Sequence, residues 1–208
     1  MTPAHPYHHG ALRRAVLDAA VVAINEVGPA AVSLRDLARR AGVSHAAPAY
    51  HFGNKAGVLT AVAAEGHNLL ADALTTAHER RGDFADVGVA YVRFAVDHRA
   101  HFEVMHRPEL YDAADPDVVA ARARTAHVLY AGVAAHSGGP EEPDVLVAGV
   151  AAWSLVHGFT SLWVQQALPP GLGDDLEAVA RLVAKVLFSH ESRSLTGRKE
   201  RNDDSASA

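Results

Sequence analysis

The chain contains no cysteine. That absence removes disulfides, thiolate nucleophiles, zinc ribbons and iron–sulfur clusters together, and it fits a reducing compartment. The first ten residues lack the apolar core of a secretory signal, so the expected location is the cytoplasm. No phosphate-binding glycine loop, nucleophile elbow or metalloprotease motif occurs, which argues against an enzyme and gives no reason to expect a cofactor. Alternating strand patterns flanked by turns are missing as well, and no internal repeat is visible. Formal charge is missing from one long stretch: between Asp144 and Asp174 there is no Asp, Glu, Lys or Arg.

That stretch is long enough to cross a bilayer. It is rich in weakly apolar Ala and Gly, however, and it carries Ser154, His157, Thr160 and Ser161 between acidic rather than basic flanks. The better expectation is no membrane contact, and a helix buried on more than one side by its own core and by a partner. The 208 residues are 49% hydrophobic and 21% charged, too apolar for a disordered chain and sufficient for a real core. The net charge of −5 is unevenly spread. Residues 1–56 carry six Lys or Arg against three Asp or Glu, so the remainder holds −8. A basic head on an acidic body suits contact with a polyanion through the N-terminal end alone.

Helical periodicity runs through the chain, and the expected fold is all-α. Leu12, Val16, Ala19, Ala20, Ala23, Ile24 and Val27 repeat at helical spacing until Gly28-Pro29 stops them. Ser33, followed by Asp36, opens a second helix that Gly42 ends; Ser44 suits the cap of a short third helix, and Asn54 that of a fourth. Further helices are predicted at about 84–99, 100–107, 116–136, 143–167 and 174–191, with Asp115-Pro116 and the pair Asp174 and Glu177 as starts. Ser192 onward is polar and of mixed charge, which reads as a frayed tail.

Residues 33–52 have the form of a helix-turn-helix, whose second helix enters the major groove of DNA. Leu37, Ala38 and Val43 can pack beneath the turn, leaving Ala46, Ala47 and Tyr50 for DNA. Spacing alone does not separate this from an ordinary helical hairpin. The run Tyr7-His8-His9-Gly10, the segment Ser33-Leu34-Arg35-Asp36-Leu37-Ala38-Arg39-Arg40-Ala41-Gly42-Val43-Ser44, and Tyr50-His51-Phe52-Gly53-Asn54-Lys55 add more: over about the first 65 residues the chain resembles the DNA-binding domain of TetR-type transcriptional regulators. Trp153-Ser154-Leu155-Val156-His157-Gly158 resembles the Trp-His-Gly signature of one C-terminal domain type in that family.

The resemblance implies a DNA-binding domain at 1–56 and an effector-binding and dimerisation domain at 57–192, while composition makes 193–208 a disordered tail. It implies that Ser33 meets a phosphate, that Ser44, His45, Ala46 and Ala47 begin the base-reading helix, and that Tyr50, His51 and Lys55 clamp the backbone. Two positions depart from the family pattern. Pro48 and Ala49 stand where a large apolar residue and a tyrosine are usual, so the tyrosine arrives one residue late, and Pro48 removes a backbone donor from the recognition helix. Neither His45 nor the alanines offer the bidentate reading that Arg gives guanine, so the expected specificity is modest or rests partly on DNA shape.

In such regulators the middle helices enclose an effector pocket and the last two pair with a second copy. Candidate pocket residues are Tyr91, Phe94, Met105, His106, His127, Tyr130, Trp153 and His157, each of which also fits plain core packing; together they suggest a largely apolar ligand with one or two polar handles. Phe159, Leu162, Leu176, Val183 and Leu187 are candidates for the homodimer interface, with Trp153 facing the pocket and Trp163 nearer the seam or the helix end. Among the fourteen histidines, His98 and His101 share a helix face near Glu103 and His106, but in an acidic chain they read as surface residues, and no metal is expected. The expected function is a ligand-released repressor on a palindromic double-stranded operator. The alternatives are an effector-independent DNA-binding factor and a small-molecule carrier or enzyme with a vestigial helix-turn-helix.

Overall fold

A computed structural model describes residues 7–80, 84–136 and 144–189, with side chains over 10–80, 85–132 and 145–186. Every regular element among them is helical: α1 (Tyr7–Ala31), α2 (Leu34–Arg40), α3 (Ala47–Phe52), α4 (Lys55–Glu79), α5 (Phe84–Asp97), α6 (Arg99–Met105), a 3-10 turn (Pro108–Leu110), α7 (Pro116–His136), α8 (Asp144–Val164) and α9 (Leu176–Ser189). The tail expected at 193–208 lies outside the described residues.

Most boundaries follow local chemistry. Gly28 leaves the helical region at φ 74°, ψ 161°, a conformation L side chains avoid, so the α1 run breaks where Gly28-Pro29 was expected to break it. Ser33 Oγ accepts from the Asp36 amide at 3.2 Å, capping α2, and Asp115 Oδ1 accepts from Asp117 N at 2.9 Å ahead of Pro116. Asn54 Oδ1 takes the Gly57 amide at 3.0 Å at the start of α4. Two starts and one end differ from expectation. Asp175, not Asp174, caps α9, accepting from the amides of Glu177 and Ala178. α3 begins at Ala47 after the uncapped Ala46, three residues beyond Ser44. α8 ends at Val164 in a Schellman arrangement, with Ala167 N on Leu162 O, Gln166 N on Trp163 O and Gln166 at φ 55°. Glycine usually marks that position, which is why the sequence pattern overshoots.

The chain divides into two compact units, residues up to Asp72 with Asp97–Ala126, and Ala73–Val96 with the residues from His127. The expected boundary at 56 falls just inside α4, a helix without a break. In the first unit α1 packs against α2, α3 and α6, and Val16, Ala20, Ile24, Leu37, Val58 and Val62 are essentially sealed from solvent. In the second, Val89, Val92, Phe159, Val179 and Ala180 form a core cluster, with Val156, Trp163, Leu176 and Val183 packed against it.

One described helix, over Val145–Val164, is long and apolar enough to cross a membrane, yet only 22% of it is buried within the chain. Burial on more than one side was expected. The chain itself covers one side, where Val145, Ala152, Phe159 and Thr160 lie, and leaves Leu146, Val147, Val150, Trp153 and Leu162 exposed.

Candidate functional site

The helix-turn-helix is α2, the turn from Ala41 and α3. Val43 N bonds Ala38 O at 3.0 Å and Ala47 N bonds Ser44 O at 3.0 Å, which fixes the turn and presents Ser44, His45 and Ala46 to solvent. Ala47 does not join them. It is 8% exposed and packs inward, which removes it from the expected base-reading set. Pro48 is buried beside it in the first turn of α3, where helical amides have no intrahelical acceptor, so the missing N–H costs the helix nothing. Ala49 is exposed, and Tyr50 is 78% exposed with its ring edge-on to His51 at 5.1 Å.

The basic head is largely spoken for. Arg14 binds Asp18 and Glu65, Arg39 and Arg40 both bind Asp36, and Arg40 also reaches Glu26. Hydrogen bonds from Arg40 and Arg39 hold the Asp36 carboxyl below its ordinary range. The Arg13 guanidinium lies over the Phe52 ring at 5.1 Å. Lys55, expected to clamp a phosphate, donates from Nζ to the Ala30 carbonyl at 2.5 Å and so ties the end of α1 to the start of α4. Arg35 is the basic side chain left over. It is exposed, makes no hydrogen bond or ion pair among the described residues, and sits two residues after Ser33 at the start of α2. Sequence reading counted Arg35 in the charge but not in the site; its place in the first turn, beside a capping hydroxyl, was the available signal.

The expected pocket residues are divided between the two units. Met105 and His106 belong to the first unit, Tyr91, Phe94, His127, Tyr130, Trp153 and His157 to the second. Phe94 and Met105 are buried at 3%, and His127 is exposed. Tyr91 Oη meets His157 Nδ1 at 2.9 Å and also bonds Trp153, whose ring centroid lies 5.9 Å from that of His157. Burial raises the Tyr91 phenol and lowers the His157 imidazole. Trp153 is 43% exposed, while Trp163, one residue before the end of α8, packs on the core beside Phe159, ring centroids 5.8 Å apart. The Tyr130 ring lies across Gly149, where an added Cβ would come within 2.4 Å of it.

An open polar cleft of about 880 Å³ lies elsewhere, in the first unit, with Arg13, Arg14, His51, Asp112, Asp117 and Arg124 among its walls and none of the eight candidates. The interface candidates also separate. Phe159 belongs to the core cluster, and Leu176 and Val183, both partly buried, pack against it; Leu162 is exposed, and the Leu187 side chain lies outside the described residues. No group of three or more His, Asp or Glu side chains suited to a metal ion occurs among the described residues. His98 is half-buried and His101 is 4% exposed, so neither is the surface histidine that was expected.

His67, on α4, is buried too. Burial, and after it the charges of His106 and Arg122, push its imidazole down to about 4 from an ordinary 6.5. The unfolded chain therefore takes up a proton there that the folded chain refuses. Its contribution is complete above pH 6.5 and falls away as pH drops toward 4, by at most about 3 kcal/mol. Thermal melts from pH 7 to 4 should show a steep loss that His67→Leu flattens; equal slopes for the two proteins would contradict this.

Comparison with known proteins agrees with this geometry. The sequence model of the bacterial regulatory proteins of the tetR family matches residues 16–62, and that of the tetracyclin repressor-like C-terminal domain matches residues 84–187. A solved structure of a protein of unknown function from Rhodococcus sp. RHA1 is 31% identical, covering 90% of this chain and 98% of its own, with a TM-score of 0.74. The TetR family transcriptional regulator PfmR from Thermus thermophilus is 25% identical over 83% of this chain and 96% of its own, at 0.63. The regulator LfrR from Mycobacterium smegmatis, solved with proflavine, shares the fold at 19% identity over 86% of this chain and 96% of its own, also at 0.63. No curated protein matches the sequence.

A capped α2, a tight turn and an exposed α3 start, matched to a regulatory domain, define a DNA-binding transcriptional regulator. The chain belongs to the TetR family.

Proposed function

We infer that the protein is a homodimeric repressor that leaves a palindromic operator when a small, largely apolar effector binds. One observation carries the DNA half of this reading: Ser33 and Arg35 lie exposed on α2, and Ser44, His45, Ala46, Ala49 and Tyr50 on the turn and α3, while the neighbouring arginines are neutralised by their own carboxylates. Arg35 and Ser33 then hold phosphates, and His45 with the alanine methyls reads base edges. Effector and DNA bias the same equilibrium reciprocally, with a coupling of about 1–3 kcal/mol typical of such pairs.

Selection of bound duplexes from a random pool tests it, and should return a site with two-fold symmetry and half-sites about one helical turn or a multiple apart. A bound site without symmetry would overturn the dimeric reading. On the selected site, Arg35→Ala should weaken binding to all duplexes about equally and reduce the salt slope by about one. His45→Ala should instead change preference at one position of each half-site, by about 1–3 kcal/mol. Arg35→Ala with altered base preference would show that the two residues have been assigned to the wrong kind of contact.

A further inference from the structure

The exposed helix α3 is gripped near its two ends. It has six residues, too few to stand as a helix without packing. At its start Ala47 and Pro48 are buried, after which Ala49 and Tyr50 turn to solvent. At its end stands Phe52, half-buried, whose carbonyl accepts from Asn54 N at 2.8 Å and lies against the Gly57 α-carbon. Whatever holds the Phe52 ring therefore helps to set the direction of α3 beyond Pro48.

Arg13 of α1 lies on that ring, its guanidinium carbon 5.1 Å from the centroid. A planar, weakly hydrated guanidinium is the cation best suited to an aromatic face. The next arginine is engaged otherwise: Arg14 takes both Asp18 and Glu65, whereas Arg13 has no carboxylate partner among the described residues. Carboxylates are nevertheless at hand, because Arg13 and Phe52 share the walls of the polar cleft with Glu65, Asp112 and Asp117. Glu65 gives both its oxygens to Arg14, Asp112 Oδ1 takes the Ala114 amide, and Arg13 keeps to the ring. The far end of α1 is tied to the same corner through the Ala30 carbonyl and Lys55. Charge and exposure alone point Arg13 at solvent or a phosphate; its place over Phe52 gives it a different task.

We propose that Arg13 is a positioning residue for operator binding: from α1 it clamps Phe52, and so fixes the angle at which α3 offers Ala49 and Tyr50 to DNA, without touching DNA itself. The inference rests on the operator-binding reading above. Without the cation the ring loosens and α3 pivots about Ala47 and Pro48. The fraction of protein in the binding-competent pose then falls, and apparent affinity falls with it. A cation–π contact at an exposed site is worth about 2–5-fold in an equilibrium, and with two copies on one operator the loss multiplies to about 5–30-fold. An equal loss of folding stability, by itself, leaves affinity at room temperature unchanged, because nearly all of the protein stays folded.

Full-length protein, titrated with the selected duplex at several salt concentrations, tests the assignment. Arg13→Met keeps an unbranched stem and loses the cation; it should weaken binding about 5–30-fold with the salt slope unchanged. Arg13→Lys, which keeps a cation over the ring, should lose less. Pentafluorophenylalanine in place of Phe52 has nearly the same shape but a ring face that no longer attracts cations. It should cost as much as Arg13→Met, and adding Arg13→Met to it should cost nothing more. Affinity of Arg13→Met equal to that of the unmodified protein would overturn the proposal. So would a salt slope reduced by about one per protomer, the mark of a phosphate contact, or an Arg13→Met loss that persists in full beside the fluorinated ring. The same cycle read in thermal melts reports the contact with no DNA present, and strictly additive shifts there would overturn it as well. Coupled melts beside a random pool that returns no preferred duplex would instead strike the operator-binding reading.

Discussion

Gly57→Ala should lower the melting temperature by about 6–12 °C and abolish binding to the selected operator. Gly57 lies in the first turn of α4, its amide on Asn54 Oδ1, and its α-carbon faces the Phe52 carbonyl at the end of α3. A Cβ built there falls 1.9 Å from that oxygen and 3.0 Å from its carbon. Both are backbone atoms, so no rotamer relieves the contact, and α3 must swing away from α4 or the cap must open. Overpacking of this kind costs about 3 kcal/mol, at the upper end of the usual range, because nothing flexible yields. DNA binding is lost with it, since the corner between Phe52 and Lys55 sets the direction in which α3 presents Ala49 and Tyr50. Gly10→Ala is the control: a Cβ there meets nothing within 4 Å, and the exchange in helix α1 should be neutral or stabilising by about 0.5–1 kcal/mol. Circular-dichroism melts and a gel-shift titration suffice. A melting temperature for Gly57→Ala equal to that of the unmodified protein would show that the corner relaxes freely.

Local chemistry made the helices legible. Ser33, Asn54 and Asp115 each cap the helix that their side chains announce, and Gly28-Pro29 breaks α1 as its composition requires. The same reasoning misplaced the start of α3, because Ser44 is the better capping residue by type. The backbone uses only its carbonyl, and the helix waits for Ala47 so that Pro48 falls in the first turn. Which way a helix faces was harder to read. α9 alternates apolar and polar sides, so Val179, Ala180 and Ala184 are recognisable as its inward face. α8 has no charge between Val145 and its end, hence no polar stripe to mark its outside, and from sequence Phe159 and Trp153 are interchangeable. The fold seats Phe159 and leaves Trp153 out.

His67 and His101 were illegible for a different reason. In an acidic chain with fourteen histidines, composition favours the surface, and only packing shows two of them sealed between apolar side chains. Arg35 is the converse case. Its charge was visible at once, but its availability depended on where Asp36 and Glu26 turned, and they turned to Arg39 and Arg40.

Leu182→Asp should yield a folded monomer, whereas Val183→Asp should not fold. The two residues are neighbours on α9, about 100° apart around its axis: Leu182 is 67% exposed, and Val183 packs against the core cluster of Val89, Val92 and Phe159. A carboxylate at 183 is thus pressed against the apolar core of its own chain, partly buried and unpaired, at a cost of several kcal/mol that rivals the whole stability of the unit. At 182 it meets water in the monomer, so the fold survives. The cost appears only on association. α8 and α9 pack together and leave Leu146, Val147, Val150, Trp153, Leu182 and Val186 in solvent, more exposed apolar side chain than two helices of a soluble monomer ordinarily carry. If a second copy covers them through a two-fold axis, each substitution enters the interface twice. A buried, unpaired carboxylate costs about 3–5 kcal/mol, so the dimer should weaken by more than about 100-fold. Losing the dimer also forfeits the gain from two linked half-site contacts, so operator affinity should fall by about 10²–10⁴. Sedimentation of wild type and Leu182→Asp at micromolar concentration, beside their helical circular dichroism, separates the outcomes. A Leu182→Asp protein that is folded and still dimeric would place the interface on another face of the chain.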